Sequence, residues 1–246
     1  MYIVEGNIGA GKSTFLKLLE KHLPQAPIGL EPLQNWQSTI YGQSLLTNFY
    51  EDPKRWAYTL ETLTMICRVK EHLLDQTTAN RNKIIERSIY SGHYCFAQNS
   101  YESGFMSAVE WAVYNQWFNF LIPNKCKSPL GFIYLKANPE IAYERIKKRN
   151  RAAEKTITLK YLRQIHERHE SFLINDKKSL APISITPVLV LNCDEEFETN
   201  EMQLQEHIEK VKTFIANTQS SFTAAKADWQ MLRRVTATVD DELQNI

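Results

Sequence analysis

The stretch "GNIGAGKS", Gly6 to Ser13, satisfies the pattern GxxxxGK[ST] and lies between a predicted strand and a predicted helix. Its three glycines allow backbone N–H groups to converge on an anion, and the helix that follows adds the positive end of its dipole. Lys12 can reach the outer phosphates of a nucleotide, and Ser13 can ligate Mg²⁺. The stretch therefore predicts a phosphate-binding loop.

Charged residues also follow two other predicted strands. Glu31 lies in "LEPLQNW", and Glu86 and Arg87 lie in "IIERSIYS". Ligands of open α/β sheets bind at the carboxyl ends of the strands, so we expect all three side chains near the phosphate-binding loop. There Glu31 could deprotonate an acceptor hydroxyl, Glu86 could support a metal ion, and Arg87 would supply a fixed cation.

Arginines recur in "ERIKKRNRAAEKT", where Arg145, Arg149 and Arg151 end one predicted helix and enter a loop. A solvated basic face is the alternative, and it is favoured for Lys147 and Lys148. Beside a phosphate-binding loop, arginines on such a segment can neutralise a transferring phosphoryl group and exclude water. The pattern predicts an arginine-rich lid.

The predicted helix "WAYTLETLTMICRVKEHL", residues 56–73, carries two charges seven residues apart, Glu61 and Arg68. Two turns of 3.6 residues bring both side chains to the same face. Charged helix residues usually face water, so this pair alone does not indicate a site.

Short apolar runs at 2–6, 27–32, 83–88, 131–137 and 187–192 alternate with predicted helices at 12–22, 44–79, 104–122, 139–150, 159–174 and 200–217. The alternation is typical of an α/β fold with parallel strands buried under helices. We expect one domain over 1–216 and a C-terminal appendage over 217–246, either helical or disordered.

Composition favours a small-molecule partner. The 246 residues include 29 basic and 28 acidic side chains, so no field for nucleic acid or anionic lipid is expected. No stretch reaches the roughly 20 apolar residues of a membrane span. The N-terminus lacks a signal-peptide pattern, and we expect a cytoplasmic protein. The four cysteines are widely spaced, which predicts free thiols in a reducing compartment.

The chain resembles the deoxyribonucleoside kinases of the deoxycytidine, deoxyguanosine and insect multisubstrate group. The motifs carrying the resemblance span residue 2 to about residue 214: "EGNIGAGKST", "EPLQNW", "YEDPKRWA", "ERSIYSGHYCF", "YLKANPEIAYERIKKRNR" and "LKYLRQIHERHESFLI". The resemblance implies a P-loop kinase fold with a five-stranded parallel sheet flanked by helices. It also implies transfer of a phosphoryl group from ATP or another nucleoside triphosphate, with Mg²⁺, to a deoxynucleoside. A homodimer through two long helices, here near 44–79 and 104–122, is implied as well.

The resemblance also implies roles for single residues. Glu31 would be the general base on the 5′-hydroxyl and Arg87 would hold that oxygen, while Tyr50 and Glu154 would bind the 3′-hydroxyl. The metal would be supported by Ser13 and Glu86. The implied phosphate and donor-binding residues are Gly6, Asn7, Ile8, Gly9, Ala10, Gly11, Lys12, Ser13, Thr14, Arg145, Arg149, Arg151, Glu195, Glu196 and Phe197.

The nucleobase would lie between aromatic residues, Trp36 and Phe96, for which core packing is the alternative. The resemblance places Glu61 where the family has a base-reading Gln, and Arg68 where the deoxycytidine and deoxyguanosine enzymes have Arg. Gly92 replaces the Asp or Ala of the family, and the next residue is a histidine where Arg is usual.

These departures bear on base preference. An ionised carboxylate presents only acceptors, which suits the N1–H and amine of guanine, and Arg68 could hold Glu61 ionised. Gly92 would leave room for a purine. Deoxyadenosine or deoxycytidine stay open if Glu61 is protonated, is reoriented by Arg68, or accepts only from an exocyclic amine. The residues favour a purine, and guanine among purines.

Two other functions are alternatives to deoxynucleoside phosphorylation. A nucleoside monophosphate kinase would need a second cationic cluster for the acceptor phosphate, and the sequence offers only Arg87 and the lid. A catalytically silent structural subunit of the same fold is disfavoured by the intact Lys12, Ser13 and Glu31.

Overall fold

A five-stranded parallel sheet forms the centre of the computed structural model, which describes residues 1–31, 39–40, 43–77, 82–175 and 183–221. The strands lie in the order β2-β5-β1-β6-β7, and a short antiparallel pair, β3 and β4, lies apart. The strands are β1 (Tyr2–Glu5), β2 (Ile28–Gly29), β3 (Thr39–Ile40), β4 (Gln43–Ser44), β5 (Ile84–Glu86), β6 (Gly131–Lys136) and β7 (Val188–Asn192). The predicted parallel α/β fold is confirmed.

Helices cover both faces of this sheet. They are α1 (Lys12–His22), α2 (Leu45–Glu51), α3 (Pro53–Asp75), α4 (89–102), α5 (Ala108–Lys125), α6 (Pro139–Arg149), α7 (Leu159–Glu170) and α8 (201–221). Within the described ranges, no helix has both the length and the apolar character that crossing a bilayer requires.

Two apolar clusters hold the helices to the sheet. On one face, Phe15 and Leu19 of α1 pack with the β-strand residue Val4 and with Ile208 of α8, all fully buried. On the other face, α3, α4 and α5 contribute a core rich in aromatic side chains, including Tyr114. Strands buried on both faces explain the nearly continuous apolar runs in the sequence.

Two predicted helices have different boundaries in the structure. The helix expected over 44–79 is two helices, because the Asp52 side chain accepts from the backbone N–H of Arg55 and Pro53 occupies the first helical position of α3. The helix expected over 104–122 starts at Ala108, where Ser107 and Glu110 form a capping box.

Helix α4 is absent from the sequence prediction. It consists of Ile89–Ser91, a π-helical segment Gly92–Ala97, and Gln98–Glu102. This segment contains glycine and several aromatic residues, which have low helix propensity, so its sequence does not predict a helix. Tertiary packing stabilises it instead, since Tyr90 and Cys95 are fully buried.

The C-terminal helix α8 extends beyond the expected domain boundary at 216. Thr218 shares a 2.7 Å hydrogen bond with the hydroxyl of Tyr2, and the boundary therefore falls inside a helix that contacts β1. Residues 222–246, most of the expected appendage, lie outside the described residues.

Candidate active site

The phosphate-binding loop follows β1 and leads into α1. Gly9 and Gly11 have φ angles of +81° and +92°, which L side chains rarely adopt. A β-carbon at Gly9 would lie 2.4 Å from the carbonyl oxygen of Ala142, and one at Gly11 would lie 2.8 Å from Cζ of Phe197. A side chain would be strained at either position, so glycine is required where the loop backbone curves, and such a loop can direct N–H groups at an anion.

Lys12 and Ser13 open helix α1 beneath this loop. The ammonium of Lys12 donates to the carbonyl oxygens of Gly6 at 3.1 Å and Asn7 at 2.8 Å. Burial, reinforced by the positive charge of Arg87, lowers the pKa of Lys12 to about 7. A bound phosphate would place an anion beside this lysine and raise its pKa again.

Glu86 ends β5 beside the loop. The hydroxyl of Ser13 lies 2.9 Å from each of its carboxylate oxygens. Hydroxyl, carboxylate and phosphate oxygens are the ligands that Mg²⁺ prefers. Ser13 and Glu86 therefore fit a magnesium ion carried by a nucleotide.

Glu31, at the end of β2, lies between two guanidinium groups. Arg68 Nη2 is 2.5 Å from Glu31 Oε1, and Arg87 Nε is 3.2 Å from Glu31 Oε2. Burial alone would raise the pKa of Glu31, but the two arginines lower it below its ordinary value. The carboxylate is therefore ionised at neutral pH and accepts hydrogen bonds.

Arg87 has a strained backbone at the end of β5. Its φ angle is +60°, although it is not glycine, and its N–H donates to the carbonyl of Val4. Strain of this kind persists where the surrounding structure imposes it, and it is frequent at functional sites. The guanidinium carbon lies 4.6 Å above the ring of Phe96, a cation–π contact that fixes its plane.

Tyr50 and Glu154 line the same cavity. Burial, together with the charge of Glu154, raises the pKa of Tyr50, so its hydroxyl is a neutral donor. Glu154 is 7% exposed and pairs with Arg149 Nη2 at 2.6 Å and with Arg151 Nη1 at 3.5 Å. The two arginines thus connect the predicted sugar contact with the predicted lid.

Glu61 is a buried carboxyl on the wall formed by α3. It is 4% exposed, and Ser100 Oγ donates to its Oε1 over 3.4 Å. Burial raises the pKa of Glu61 to about 7, despite the opposing charge of Arg68. We expected Arg68 to keep Glu61 ionised, but among the described residues Glu31 is the carboxylate with which Arg68 forms its ion pair.

Gly92 makes room for Arg68. A β-carbon at Gly92 would lie 2.7 Å from Arg68 Nη1, so the missing side chain accommodates the guanidinium directly. The neighbouring His93 is stacked on Phe118, with ring centroids 3.8 Å apart. Burial lowers the pKa of His93 to about 3, so this position is neutral.

These side chains surround one cavity of about 250 Å³ at the carboxyl ends of β1, β2 and β5. The predicted residues that line it are Ile8, Gly9, Gly11, Lys12, Ser13, Thr14, Glu31, Tyr50, Glu61, Arg68, Glu86, Arg87, Phe96, Arg149, Arg151 and Glu154. Phosphate-binding, metal-binding and acceptor-binding candidates from seven separate segments thus meet in one place.

Other predicted residues lie outside this lining. Gly6, Asn7 and Ala10 form the buried base of the loop, and Asn7 anchors it by donating to the carbonyl of Leu162. Trp36 lies outside the described residues.

The predicted donor-base segment also has a different environment. Arg145 donates to the carbonyls of Cys193, Asp194 and Glu195 instead of facing the cavity. Glu196 accepts from a nearby backbone N–H. Phe197 is 2% exposed and packs against Phe15 beneath the loop, so it supports the loop from inside the core.

Sequence reasoning missed Ser100, Tyr161 and Ser88. Ser100 lies on the unpredicted helix α4, so no sequence signal placed it near Glu61. Tyr161 lines the cavity and lies edge-on to Tyr50, with centroids 6.4 Å apart. Its position in "LKYLRQIHERHE" was the available signal. Ser88 donates to the buried Glu5 at 2.5 Å and so fixes the turn that carries Arg87.

Comparison with known proteins decides the family. The family model described as "Deoxynucleoside kinase" matches residues 2–216. The chain belongs to the deoxynucleoside kinase family. It is 38% identical to a protein named mitochondrial deoxyguanosine kinase from Xenopus laevis, over 87% of this chain and 88% of that one.

Relatives with other named substrates are similarly close. The chain is 34% identical to deoxycytidine kinase 2 from Gallus gallus, over 87% of this chain and 89% of that protein. It is 38% identical to human mitochondrial thymidine kinase 2, over 79% of this chain and 71% of that protein. The protein is therefore a deoxynucleoside kinase, a phosphotransferase, and these identities leave its base preference open.

Proposed function

We propose that this kinase transfers the γ-phosphoryl group of ATP, or of another nucleoside triphosphate, to the 5′-hydroxyl of a deoxyribonucleoside. The observation that carries the proposal is the position of Glu31. The ionised carboxylate pairs with Arg87 and shares one cavity with Lys12 and Ser13 of the phosphate-binding loop. An acceptor hydroxyl beside Glu31 would therefore lie next to the phosphates of the donor.

Glu31 and Arg87 act on the acceptor hydroxyl in this proposal. Glu31 accepts the proton as the hydroxyl oxygen attacks, and Arg87 holds that oxygen through its guanidinium. The two arginines that lower the pKa of Glu31 keep it ionised before the reaction. The ion pairs with Arg68 and Arg87 also hold the Glu31 carboxylate in position.

Lys12, Ser13 and Glu86 act on the donor. The loop N–H groups and Lys12 would hold the phosphates, and Ser13 with Glu86 would hold Mg²⁺. When bound, Mg²⁺ would supply positive charge beside the donor phosphates. Arg149 and Arg151 would complete the charge neutralisation as an arginine-rich lid above the same cavity.

Tyr50 and Glu154 bind the 3′-hydroxyl in this arrangement. The neutral hydroxyl of Tyr50 can donate and the carboxylate of Glu154 can accept, so together they satisfy both functions of one sugar hydroxyl. Arg149 and Arg151 hold the carboxylate in place.

The remaining wall, with Glu61 and Phe96, faces the nucleobase, and we propose a purine as the preferred base. Glu61, when ionised, accepts from the N1–H and amine of guanine. Phe96 presents a ring on which a base can stack, and the guanidinium of Arg87 also lies over this ring.

A panel of acceptors tests the proposed reaction. ADP release is measured with ATP and Mg²⁺ for the four deoxynucleosides and their 5′-monophosphates, and the products are identified by chromatography against 5′- and 3′-monophosphate standards. We expect turnover with deoxynucleosides, a 5′-monophosphate product, and no use of monophosphates as acceptors. A 3′-monophosphate product, or preferred turnover of monophosphates, would overturn the proposal.

We further propose a homodimer through α3 and α5. Large apolar side chains are exposed along these helices, with Ile66 and Leu74 on α3 and Trp117 and Phe120 on α5 each more than half exposed. Light scattering of the wild type and of Trp117→Lys tests this assembly. A dimer in the wild type and a monomer in the variant are expected, whereas a wild-type monomer contradicts it.

We propose the cytoplasm as the location of the protein. In the part of the chain that the structure describes, Cys67, Cys95, Cys126 and Cys193 form no disulfide, which fits a reducing compartment. Two of the relatives above are named as mitochondrial proteins. Imaging of the tagged full chain distinguishes the two locations.

A further inference from the structure

The carboxyl group of Glu61 is deeply buried, but the contacts that would stabilise its ionised form are weak. It is 4% exposed and lies on the cavity wall, yet its hydrogen bond from Ser100 is long, at 3.4 Å. A buried carboxylate normally persists in its charged form through a close cation or several donors. The cation on its own helix face, Arg68, lies 2.5 Å from a different carboxylate, that of Glu31.

Among the described residues, the charged and polar groups around Glu61 offset part of the effect of its burial on its ionisation. Arg68 on α3 and Arg87 after β5 favour the ionised form, and so does the hydroxyl of Ser100 on α4. The neutral phenols of Tyr50, Tyr114 and Tyr161, from α2, α5 and α7, also face it across the cavity or core.

Gly92 accounts for the position of Arg68. The space beside Arg68 Nη1 would be filled by any larger side chain at position 92, because a β-carbon there would lie 2.7 Å away. The guanidinium of Arg68 can therefore lie against α4 while it pairs with Glu31. Glu61 faces the cavity and can be either protonated or ionised.

We propose that Glu61 reads the nucleobase in two protonation states, so that one cavity accepts two classes of base edge and the substrate preference changes with pH. This inference rests on the proposed function. Ionised, Glu61 presents two acceptors, which match the adjacent N1–H and amine donors of guanine. Protonated, it presents one donor and one acceptor, which match N1 and the amine of adenine or N3 and the amine of cytosine.

The direction of the effect follows from burial. Because burial raises the pKa of Glu61 to about 7, the ionised fraction increases as the pH rises through neutrality. Between about pH 6 and pH 8 that fraction changes about tenfold, and the protonated fraction changes about tenfold in the opposite sense. The ratio of kcat/KM for deoxyguanosine to that for deoxyadenosine should therefore rise by about 10-fold to 100-fold over this interval.

The experiment measures that ratio at several pH values with ATP, Mg²⁺ and full-length protein. Ionisation of Lys12 or of the donor phosphates affects both acceptors alike and cancels in the ratio. The expected result is a ratio that rises with pH in the wild type and is constant in Glu61→Gln, whose amide does not titrate. The exposed Glu206→Gln on α8 is the matched control and should reproduce the wild-type curve.

A second variant keeps the test independent of Glu61→Gln. Ser100→Ala removes the donor that favours the ionised carboxylate, so the midpoint of the wild-type curve should move to higher pH. A ratio that is constant with pH in the wild type, or one that rises equally in Glu61→Gln, would overturn the inference and leave the kinase reaction intact. No turnover of any deoxynucleoside would overturn the proposed function and this inference together.

Discussion

Replacing Glu61 with glutamine should stabilise the protein, and the gain should depend on pH. Burial raises the pKa of Glu61 from 4.5 to about 7, so the folded state holds the proton more tightly than the unfolded chain does. Ionisation of Glu61 therefore requires more free energy in the folded protein than in the unfolded chain. Each pKa unit corresponds to about 1.4 kcal/mol, so the full effect amounts to about 3 kcal/mol.

The pH window follows from the same two pKa values. At about pH 4 both states bind the proton, and the carboxyl and the amide should give similar free energies of unfolding. The destabilisation by Glu61 develops as the pH rises through the unfolded value and becomes constant above the folded value. Glu61→Gln should therefore be more stable than the wild type by about 3 kcal/mol at about pH 8.

Urea unfolding of both proteins at fixed protein concentration, followed by circular dichroism from mildly acidic to mildly alkaline pH, measures this difference. Glu206→Gln, an exposed change on α8, controls for loss of a surface charge. The reasoning is refuted if Glu61→Gln becomes progressively less stable than the wild type as the pH rises. That result would mean that Arg68 stabilises an ionised Glu61.

Four further outcomes are expected. Lys12→Ala should abolish turnover without unfolding the chain. Nucleotide binding to the wild type should take up protons near neutral pH, because the bound phosphate raises the pKa of Lys12, which burial lowers to about 7. Calorimetry in two buffers of different ionisation enthalpy measures this proton uptake, and an uptake of zero contradicts the prediction. Dideoxynucleosides should have a lower kcat/KM than deoxynucleosides, by a factor equivalent to about 1 to 3 kcal/mol of activation free energy, since Tyr50 and Glu154 lose their partner. Equal kcat/KM values would mean that these two residues do not bind the 3′-hydroxyl. Gly11→Ala should impair nucleotide binding because its β-carbon would meet Phe197 at 2.8 Å; unchanged affinity by titration would contradict the fixed loop geometry.

The parallel α/β fold and the phosphate-binding loop could be anticipated from local patterns. Buried parallel strands give continuous apolar runs, and the loop has a specific spacing of glycines before a lysine. The strand ends then bring Glu31 and Arg87 to the same edge, as a parallel sheet requires. Helix α4 was not predicted, because its stability comes from tertiary burial of residues such as Tyr90 and not from helix propensity.

The ion-pair partners inside the cavity could not be derived from spacing. Glu61 and Arg68 share a helix face, which suggested that they pair, but Arg68 reaches Glu31 in the segment after β2. Space beside Gly92 and the position of β2 determine that choice, and both depend on tertiary structure. Phe197 is a similar case, since its place beneath Gly11 follows from packing of the segment after β7.

Single-turnover phosphorylation of a deoxynucleoside by Glu31→Gln tests the central claim most directly. Rapid-quench measurement with excess enzyme isolates the chemical step, and Glu206→Gln serves as the charge-matched control. The account predicts that Glu31→Gln slows formation of the 5′-monophosphate by on the order of 10² to 10⁴, while the control retains the wild-type rate. A chemical step in Glu31→Gln at the wild-type rate would contradict the assignment of Glu31 as the base.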